Sequence, residues 1–302
     1  MTSGWHRTMA GDPLIITAAD GSWRLRDVPG LIKAHLSLYI ALTAVTGHAL
    51  AQNRLTIESL GLGGWVFLLS CGAGVLNNVQ DRDLDRHCLR TQSRVLARGA
   101  MMPGHALMLG ACLILAAGLG LWLSCPNGMP LVLGAWAIVC YNGIYTPMKQ
   151  RGRWFLAMVP GTLSGMIPPA MGWAAVDTGA GPSGLYILMA GIGVWQLPHF
   201  LLVFLRENPL DPTPAGIWSA GECQAQVVAW SALFSISMML FALTGWMASL
   251  VLTVLLFCLA LALPLVLSLL FWTAGPRSLD LGFWALNLAM LAYMILILLD
   301  QI

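Results

Sequence analysis

Nine stretches of this chain, each about 20 residues long, are almost entirely apolar and are separated by short polar or charged segments. A helix needs about 20 such residues to cross the hydrocarbon core of a bilayer, and a chain in lipid must satisfy its own backbone hydrogen bonds. A membrane barrel would need strands of about ten residues with alternating polarity, which these unbroken runs lack. The sequence therefore predicts an all-α integral membrane protein with nine transmembrane helices. They lie near residues 32–51, 58–77, 104–123, 130–147, 156–175, 184–205, 225–245, 249–271 and 280–300.

The composition agrees with this class of protein and excludes several others. Hydrophobic residues make up 58% of the 302 positions and charged residues only 9%, whereas a soluble domain carries roughly 25% charged residues. The seven cysteines form no C-x-x-C pair, so zinc, iron–sulfur and c-type haem attachment sites are not indicated. We expect one nine-helix transmembrane domain over residues 31–302, preceded by a polar cytoplasmic tail over residues 1–30.

The distribution of lysine and arginine predicts the orientation of the helices. Positively charged residues favour the cytoplasmic side of a membrane, and with nine crossings the connecting loops alternate between the two sides. Fourteen of the 15 Lys and Arg residues then share the side of the N-terminal tail, and Arg54 alone lies opposite. We therefore expect the N-terminus in the cytoplasm and the C-terminus outside.

The charges concentrate in one short segment, because residues 81–98 carry eight of the chain's 28 Lys, Arg, Asp and Glu side chains. At its start Asn77, Asp81 and Asp85 recur every four residues, so a helix places all three on one face. Mg²⁺ prefers oxygen ligands and is commonly shared between one or two protein carboxylates and a substrate phosphate. The spacing therefore predicts a magnesium site, with a purely structural role for these residues as the alternative.

Arginines in the same segment also follow a four-residue spacing and could hold phosphate oxygens beside such a cation. They are Arg82, Arg86, Arg90, Arg94 and Arg98. Anchoring of a cytoplasmic loop is the other interpretation, above all for Arg86 and Arg98. A voltage sensor is disfavoured because polar residues, rather than apolar ones, separate the arginines. A second loop on the same side carries Lys149, Arg151 and Arg153, which could reach the same anionic ligand.

Two later spans contain polar or kinked features at membrane depth. Span five carries a G-x-x-x-G pattern over residues 161–165, which permits close helix approach, and the adjacent Pro168 and Pro169 interrupt it. Span six carries His199 directly after Pro198. An ionisable group inside an apolar span is a functional candidate, and a packing role is the common alternative.

Four of these segments together resemble the UbiA-type intramembrane prenyltransferases, and among them the haem O synthases. Residues 77–85, N-N-V-Q-D-R-D-L-D, and residues 90–94, R-T-Q-S-R, are similar to the family's first aspartate-rich motif. Residues 145–149 resemble its Y-T-x-x-K loop, and residues 161–172 resemble its G-x-x-x-G-x-x-P-P-x-x-G segment. Residues 195–200, W-Q-L-P-H-F, resemble the segment that separates haem O synthases from relatives acting on quinone precursors.

The resemblance implies an enzyme that uses Mg²⁺ to transfer a farnesyl group from farnesyl diphosphate to the vinyl group of haem b (protohaem IX), giving haem O for terminal oxidases. It also implies a bacterial inner membrane location, surrounded by lipid, with the site on the cytoplasmic side. Haem A synthase or the terminal oxidase assembly are the implied protein partners, and no nucleic acid is expected.

The candidate site residues follow from the motifs and this resemblance together. The metal ligands are Asn77, Asp81, Asp85 and Asp211. The diphosphate-binding residues are Asn78, Arg90, Arg94, Lys149, Arg151 and Arg206. Of these, Asp81, Asp85 and Lys149 are the candidate catalytic residues, and His199 is the candidate for holding haem.

Two segments depart from the family pattern and keep other functions open. Span one opens with Lys33-Ala34-His35 where the family usually has Lys-Pro-Arg. In residues 206–218 an aspartate survives as Asp211, but the register and the tyrosine of the family's second acidic motif are lost. The alternatives are a UbiA-type transferase with another aromatic or tetrapyrrole acceptor and a non-catalytic, haem-binding assembly protein of an oxidase. A transporter is disfavoured because it would place charges at mid-membrane in two related halves, whereas here they crowd at one face.

Overall fold

The computed structural model describes residues 23–88, 90–176, 181–207, 218–273 and 277–302. Across these ranges the regular structure is entirely helical, which confirms the predicted fold class. The long helices are α1 Ala34–Gln52, α2 Ile57–Gln80, α3 Pro103–Ser124, α4 Met129–Ile138, α5 Trp154–Ala174, α6 Ser183–Glu207, α7 Ala220–Phe241, α8 Leu250–Trp272 and α9 Ser278–Asp300.

Shorter helical elements precede, connect or extend the long ones. A 3₁₀ turn over Leu25–Asp27 and an α-helical turn over Val28–Leu31 precede α1, and a short α-helix over Arg82–Arg86 follows α2. Helix α4 continues as a π-helix over Val139–Tyr145 and an α-helical turn over Thr146–Gln150. Helix α7 likewise continues as a π-helix, over residues 242–246. Because of its extension, α4 belongs to a helical segment of 22 residues.

Eight helical segments in the described ranges are long and apolar enough to cross a membrane, and each overlaps a predicted span. The remaining predicted span, near residues 156–175, coincides with α5, which has 21 residues but contains Pro160, Pro168 and Pro169. Helix α5 does not belong to the eight. The protein is thus a multi-pass integral membrane protein, while the nine-span count and the orientation of its ends stay predictions.

Helix α5 packs against α1 at backbone distance. A Cβ added at Gly172 would lie 2.0 Å from the backbone oxygen of Ala44 in α1. A glycine of α1 approaches the backbone of α5 equally closely, since a Cβ at Gly47 would lie 2.0 Å from the backbone oxygen of Pro169. Only glycine permits such an approach, in line with the small-residue interfaces of membrane helices. These two contacts fix α5 beside α1.

Replacing Gly172 with alanine is expected to destabilise the protein by about 1–3 kcal/mol, because the added methyl group meets the α1 backbone and forces the helices apart. Thermal unfolding of the purified protein in detergent measures this effect. Gly64→Ala in α2 is the matched control, since nothing lies within 4 Å of the Cβ it would gain. Equal melting temperatures for the two variants would show that α1 and α5 do not pack this closely.

The interior contains two main apolar clusters. The larger one is built mainly by α6 to α9, with Phe234, Phe241 and Tyr293 among its fully buried side chains. The second joins α1, α2, α3 and α5. Buried polar side chains collect elsewhere, where α2 ends near the extension of α4. They include Asn77, Asn78, Asp81, Asp85, Asn142 and Thr146.

Candidate active site

The predicted oxygen ligands form a continuous stack at the end of α2. Although the helix ends at Gln80, the Asp81 N–H still donates to the Asn77 carbonyl at 2.8 Å. The Asp85 N–H in turn donates to the Asp81 carbonyl at 2.8 Å. The four-residue spacing therefore keeps all three side chains on one face. They are buried, with 1%, 1% and 6% of their surface exposed for Asn77, Asp81 and Asp85.

Asp81 is held by the turn that extends α4. The Lys149 ammonium forms an ion pair with one carboxylate oxygen, and Gln150 Nε2 donates to the other at 3.1 Å. Gln150 also donates to the backbone oxygen of Gln80 at 2.8 Å. Lys149 of the second loop therefore reaches the acidic cluster, as the sequence predicted.

Asp85 is held by the loop that follows it. Arg94 Nη1 lies 2.8 Å from Asp85 Oδ2, and the Thr91 hydroxyl donates to the Asp85 backbone oxygen at 3.2 Å. The R-T-x-x-R pattern thus has a structural explanation, because its threonine and second arginine both bind Asp85. Arg90 is exposed in the same loop.

Asn77 is contacted by a lysine that the site prediction omitted. Lys33 Nζ donates to Asn77 Oδ1 and to the Tyr141 hydroxyl at 3.1 Å, while Asn77 Nδ2 donates to the Thr146 hydroxyl at 2.9 Å. Burial, together with Arg94, lowers the pKa of Lys33 to about 8, against the opposing effect of the nearby carboxylates. Lys33 thus remains largely protonated at neutral pH and adds a third cation to the stack.

The π-helix after α4 lines the site with aromatic rings. Tyr141 and Tyr145 stack with ring centroids 5.5 Å apart, and Tyr145 lies 6.1 Å from Phe200 in α6. A Cβ added at Gly161 in α5 would come within 3.0 Å of both Tyr145 and Phe200. Single π-helical turns are frequent at functional sites. Here the turn builds an aromatic wall that leads from the charged stack toward α5 and α6.

The donor set fits a hard divalent cation. Within the described ranges, no group of three or more His, Cys, Asp and Glu side chains could hold a metal ion by itself. The stack instead offers two buried carboxylates and one amide oxygen. This suits Mg²⁺, which uses one or two carboxylates and completes its shell with water and substrate phosphate oxygens. The proposed fourth ligand, Asp211, lies outside the described residues.

Other predicted residues have contacts that differ from their expected roles. Asn78 Nδ2 donates to the backbone oxygens of Gly30 at 3.2 Å and Leu31 at 2.7 Å. Arg206 forms an ion pair with Asp280 in α9 at 2.7 Å, and Arg151 is exposed at the end of the α4 extension. The predicted diphosphate roles of these three residues stay predictions.

Asp83 lies off the stack, two residues from both Asp81 and Asp85. Its carboxylate is largely exposed and pairs with Arg82 and Arg86, at 3.1 and 3.2 Å. Arg86 also donates to the backbone oxygen of Ala97 at 3.0 Å, and Arg98 pairs with Asp27 at 2.6 Å. These contacts agree with the loop-anchoring interpretation of Arg86 and Arg98.

The W-Q-L-P-H-F segment lies in α6, where two of its side chains bind neighbouring helices. Trp195 Nε1 donates to the backbone oxygen of Leu286 in α9 at 3.2 Å, and Gln196 Nε2 donates to that of Thr162 in α5 at 3.1 Å. His199 lies between the rings of Trp195 and Phe283, with centroids 4.9 and 5.3 Å away. Its Nδ1 is buried and has no hydrogen-bond partner among the described residues, so the hydrogen-bonding capacity of this nitrogen is not used within that part of the chain.

The fold and the site together define an intramembrane protein whose helical bundle gathers carboxylates and cations at one end. The chain belongs to the UbiA prenyltransferase family, whose sequence pattern matches residues 38–300. Membership makes it a prenyltransferase, as its motifs predicted.

Individual relatives agree with this family. The chain is 39% identical over 188 residues to a protoheme IX farnesyltransferase of Geobacter sulfurreducens, covering 62% of this chain and 67% of the relative. It is 28% identical over 284 residues to the enzyme of that name from Oleidesulfovibrio alaskensis, covering 92% and 97%.

Solved structures share the fold at low sequence identity. A digeranylgeranylglyceryl phosphate synthase matches with a TM-score of 0.67 and 14% identity, covering 92% of this chain and 98% of that one. A UbiA homolog from Archaeoglobus fulgidus bound to GPP and Mg²⁺ matches with a TM-score of 0.61 and 13% identity, covering 90% and 99%. At such identities these matches establish the fold alone.

Proposed function

We propose that this chain transfers a farnesyl group from farnesyl diphosphate to a vinyl group of haem b, giving haem O for terminal oxidases. The observation that carries the proposal is the buried stack of Asn77, Asp81 and Asp85, each contacted by a cation at one end of a membrane bundle. The relatives named protoheme IX farnesyltransferase support the choice of substrates. In the Archaeoglobus fulgidus relative, a prenyl diphosphate and Mg²⁺ are bound to the same fold.

The cations of the site are suited to the departure of diphosphate. The allylic carbon–oxygen bond breaks, and its electron pair leaves with the diphosphate. Lys149, Arg94 and Lys33 already lie against the stack, so their positive charges can stabilise the negative charge that grows on the leaving group. Mg²⁺ bound at the stack would supply further neutralisation of that charge.

The aromatic wall is suited to the other product of this cleavage, the allylic cation. The faces of Tyr141, Tyr145 and Phe200 attract positive charge, and the apolar bundle beyond them takes the isoprenoid tail. Exclusion of bulk water from this region protects the cation from hydrolysis. The terminal vinyl carbon of haem then forms a bond with the allylic carbon. Water adds a hydroxyl group to the adjoining carbon and releases a proton, which gives the hydroxyethylfarnesyl chain.

His199 is the proposed contact for haem. Replacing it with alanine is expected to weaken haem b binding roughly tenfold or more, because the substitution removes a ring nitrogen, Nδ1, that makes no hydrogen bond to the described residues. Farnesyl diphosphate binding should not change. Spectrophotometric titration with haem measures the first and a radioligand assay the second, with the exposed His105→Ala as control. Unchanged haem affinity in His199→Ala would assign the residue to packing between α6 and α9.

The direct test of the proposed reaction supplies membranes containing the chain with haem b, farnesyl diphosphate and Mg²⁺. Mass spectrometry of the extracted haem should show the addition of one farnesyl group and one hydroxyl group. A prenylated product from a different aromatic or tetrapyrrole acceptor, with haem b unchanged, would favour the alternative transferase. Haem binding without any prenylated product would favour a non-catalytic assembly protein.

The proposed location is the bacterial inner membrane, with the site on the cytoplasmic face. The support is the concentration of lysine and arginine on the side that carries the stack, because such residues are retained in the cytoplasm. Haem A synthase and the terminal oxidase assembly are the proposed protein partners, since they would receive the product.

A further inference from the structure

Residues 24–33, which we call the N-terminal arm, are tied to the rest of the protein by polar contacts. Asp27 Oδ2 accepts from Arg98 Nη2 at 2.6 Å and from the Arg24 backbone N–H at 2.8 Å. Further along the arm, Asn78 Nδ2 donates to two consecutive backbone oxygens, those of Gly30 and Leu31. The arm is therefore fixed at its beginning and near its end.

One apolar side chain also anchors the arm. Leu31 is 3% exposed and belongs to a cluster with Val75 of α2 and with Val95 and Leu96 of the loop before α3. A cavity of about 180 Å³ lies between the arm and this loop, and Asp27, Leu31 and Arg94 are among its lining residues. Because packing is incomplete on this side, the position of the arm depends on its polar contacts.

The arm ends at Lys33, whose backbone has a left-handed conformation with φ of 50° and ψ of 48°. This conformation is unfavourable for a residue with a side chain and persists only where the surroundings enforce it. It separates the turn Val28–Leu31 from α1, and the Lys33 side chain reaches Asn77 and Tyr141 at the stack. The orientation of the Lys33 side chain therefore depends on the position of the arm.

We propose that Asp27 is a positioning residue for the diphosphate site: its ion pair with Arg98 holds the arm so that Lys33 stays against Asn77. The inference rests on the proposed function, because the ligand that Lys33 would meet is a prenyl diphosphate. Asp27 would act on that ligand through the arm and Lys33. An exposed ion pair would contribute little to holding the arm, but the side chains of Arg98 and Asp27 are only 23% and 18% exposed.

A double-mutant comparison tests this role in the purified full-length protein. Farnesyl diphosphate binding is measured with Mg²⁺ and without haem. Asp27→Asn is expected to raise the dissociation constant roughly tenfold, because small displacements of a charged group cost affinity. Lys33→Ala should raise it at least as much. In the Lys33→Ala background, Asp27→Asn should then add nothing, since it acts through the residue already removed.

Three further variants separate positioning from general stability. Exchange of the charges, Asp27→Arg with Arg98→Asp, should restore most of the affinity, whereas Arg98→Asp alone should not. Asp83→Asn is the matched control, because this carboxylate lies in the same region but is largely exposed. Equal effects of Asp27→Asn with and without Lys33, or no effect at all, would overturn the inference.

A ligand-free readout distinguishes failure of this inference from failure of the proposed function. The Ser37 N–H donates to the Lys33 carbonyl at 3.0 Å, so hydrogen exchange at the start of α1 reports the position of Lys33. Exchange there should be faster in Asp27→Asn than in the wild type. If the wild type binds no farnesyl diphosphate, the proposed function fails. If exchange at the start of α1 is unchanged, the positioning role fails whatever the ligand.

Discussion

Asp81→Ala and Asp85→Ala are each expected to lower the rate of prenyl transfer by roughly 10³-fold or more, since each removes a carboxylate that would hold the divalent cation, and the cation stabilises the leaving diphosphate. The two carboxylates belong to one stack with Asn77, and both are buried. Loss of either one leaves an incomplete set of oxygen donors for the cation. The measurement is the rate at which farnesylated haem forms in membranes with saturating substrates.

The control for this prediction must exclude unfolding. Removing a buried carboxylate leaves its cation without a partner, which costs about 3–5 kcal/mol, so the isosteric Asp81→Asn and Asp85→Asn are measured beside the alanine variants. Both should elute as folded protein from detergent and remain inactive. Asp83→Asn, in the same run of aspartates but exposed, should retain wild-type turnover. Wild-type turnover in both stack variants would remove the metal hypothesis.

Lys149→Ala is expected to reduce kcat/KM for farnesyl diphosphate roughly 10²-fold. The ammonium group pairs with Asp81 and lies 5.9 Å from the centre of the Tyr145 ring, between the stack and the aromatic wall. Its loss removes a positive charge from the place where the diphosphate would leave. Steady-state kinetics with farnesyl diphosphate as the varied substrate measure this effect.

The variants that accompany Lys149→Ala separate charge from hydrogen bonding. Lys149→Gln retains a hydrogen-bond donor for Asp81 but not the charge, and it should be nearly as impaired as the alanine variant. Arg54→Ala removes a cation near the opposite end of α2 and should behave as the wild type. Values of kcat/KM within twofold of the wild type for both Lys149 variants would exclude a role in diphosphate departure.

The parts of the site that follow from helical spacing could be predicted from the sequence. Asn77, Asp81 and Asp85 were expected on one face because their spacing matches the helical repeat, and the backbone hydrogen bonds continue past the end of α2 to keep them there. Lys149 was expected nearby because its loop follows a span that returns to the same side. In each case a local rule was sufficient.

The parts that depend on irregular backbone could not be predicted in this way. Lys33 reaches the stack because its own backbone is left-handed, and Tyr141 reaches it because α4 changes to a π-helix. Neither departure from regular geometry has a clear signal in one sequence, although the lysine at the opening of span one matched the family pattern. The contacts of Asn78 and Arg206 could not be predicted either, since their partners, the N-terminal arm and Asp280, are distant from them in sequence.

The composition of helix α5 gives little indication of its role in helix packing. The helix contains three prolines, and it does not belong to the eight described segments that are long and apolar enough to cross a membrane. Glycines allow its close contact with α1 at Gly47 and Gly172. The apolar length of this segment predicts where the helix lies in the sequence. Its close contact with α1 could be recognised only from the structure.

Calorimetric binding of farnesyl diphosphate to the purified protein, repeated across a Mg²⁺ titration, tests whether Asn77, Asp81 and Asp85 hold a divalent cation together with the diphosphate. We expect the wild type to bind farnesyl diphosphate tightly only when Mg²⁺ is present, and Asp81→Asn and Asp85→Asn to lose this dependence along with the binding. Binding that is equally tight without Mg²⁺, or an unchanged Mg²⁺ dependence in both variants, would contradict the account.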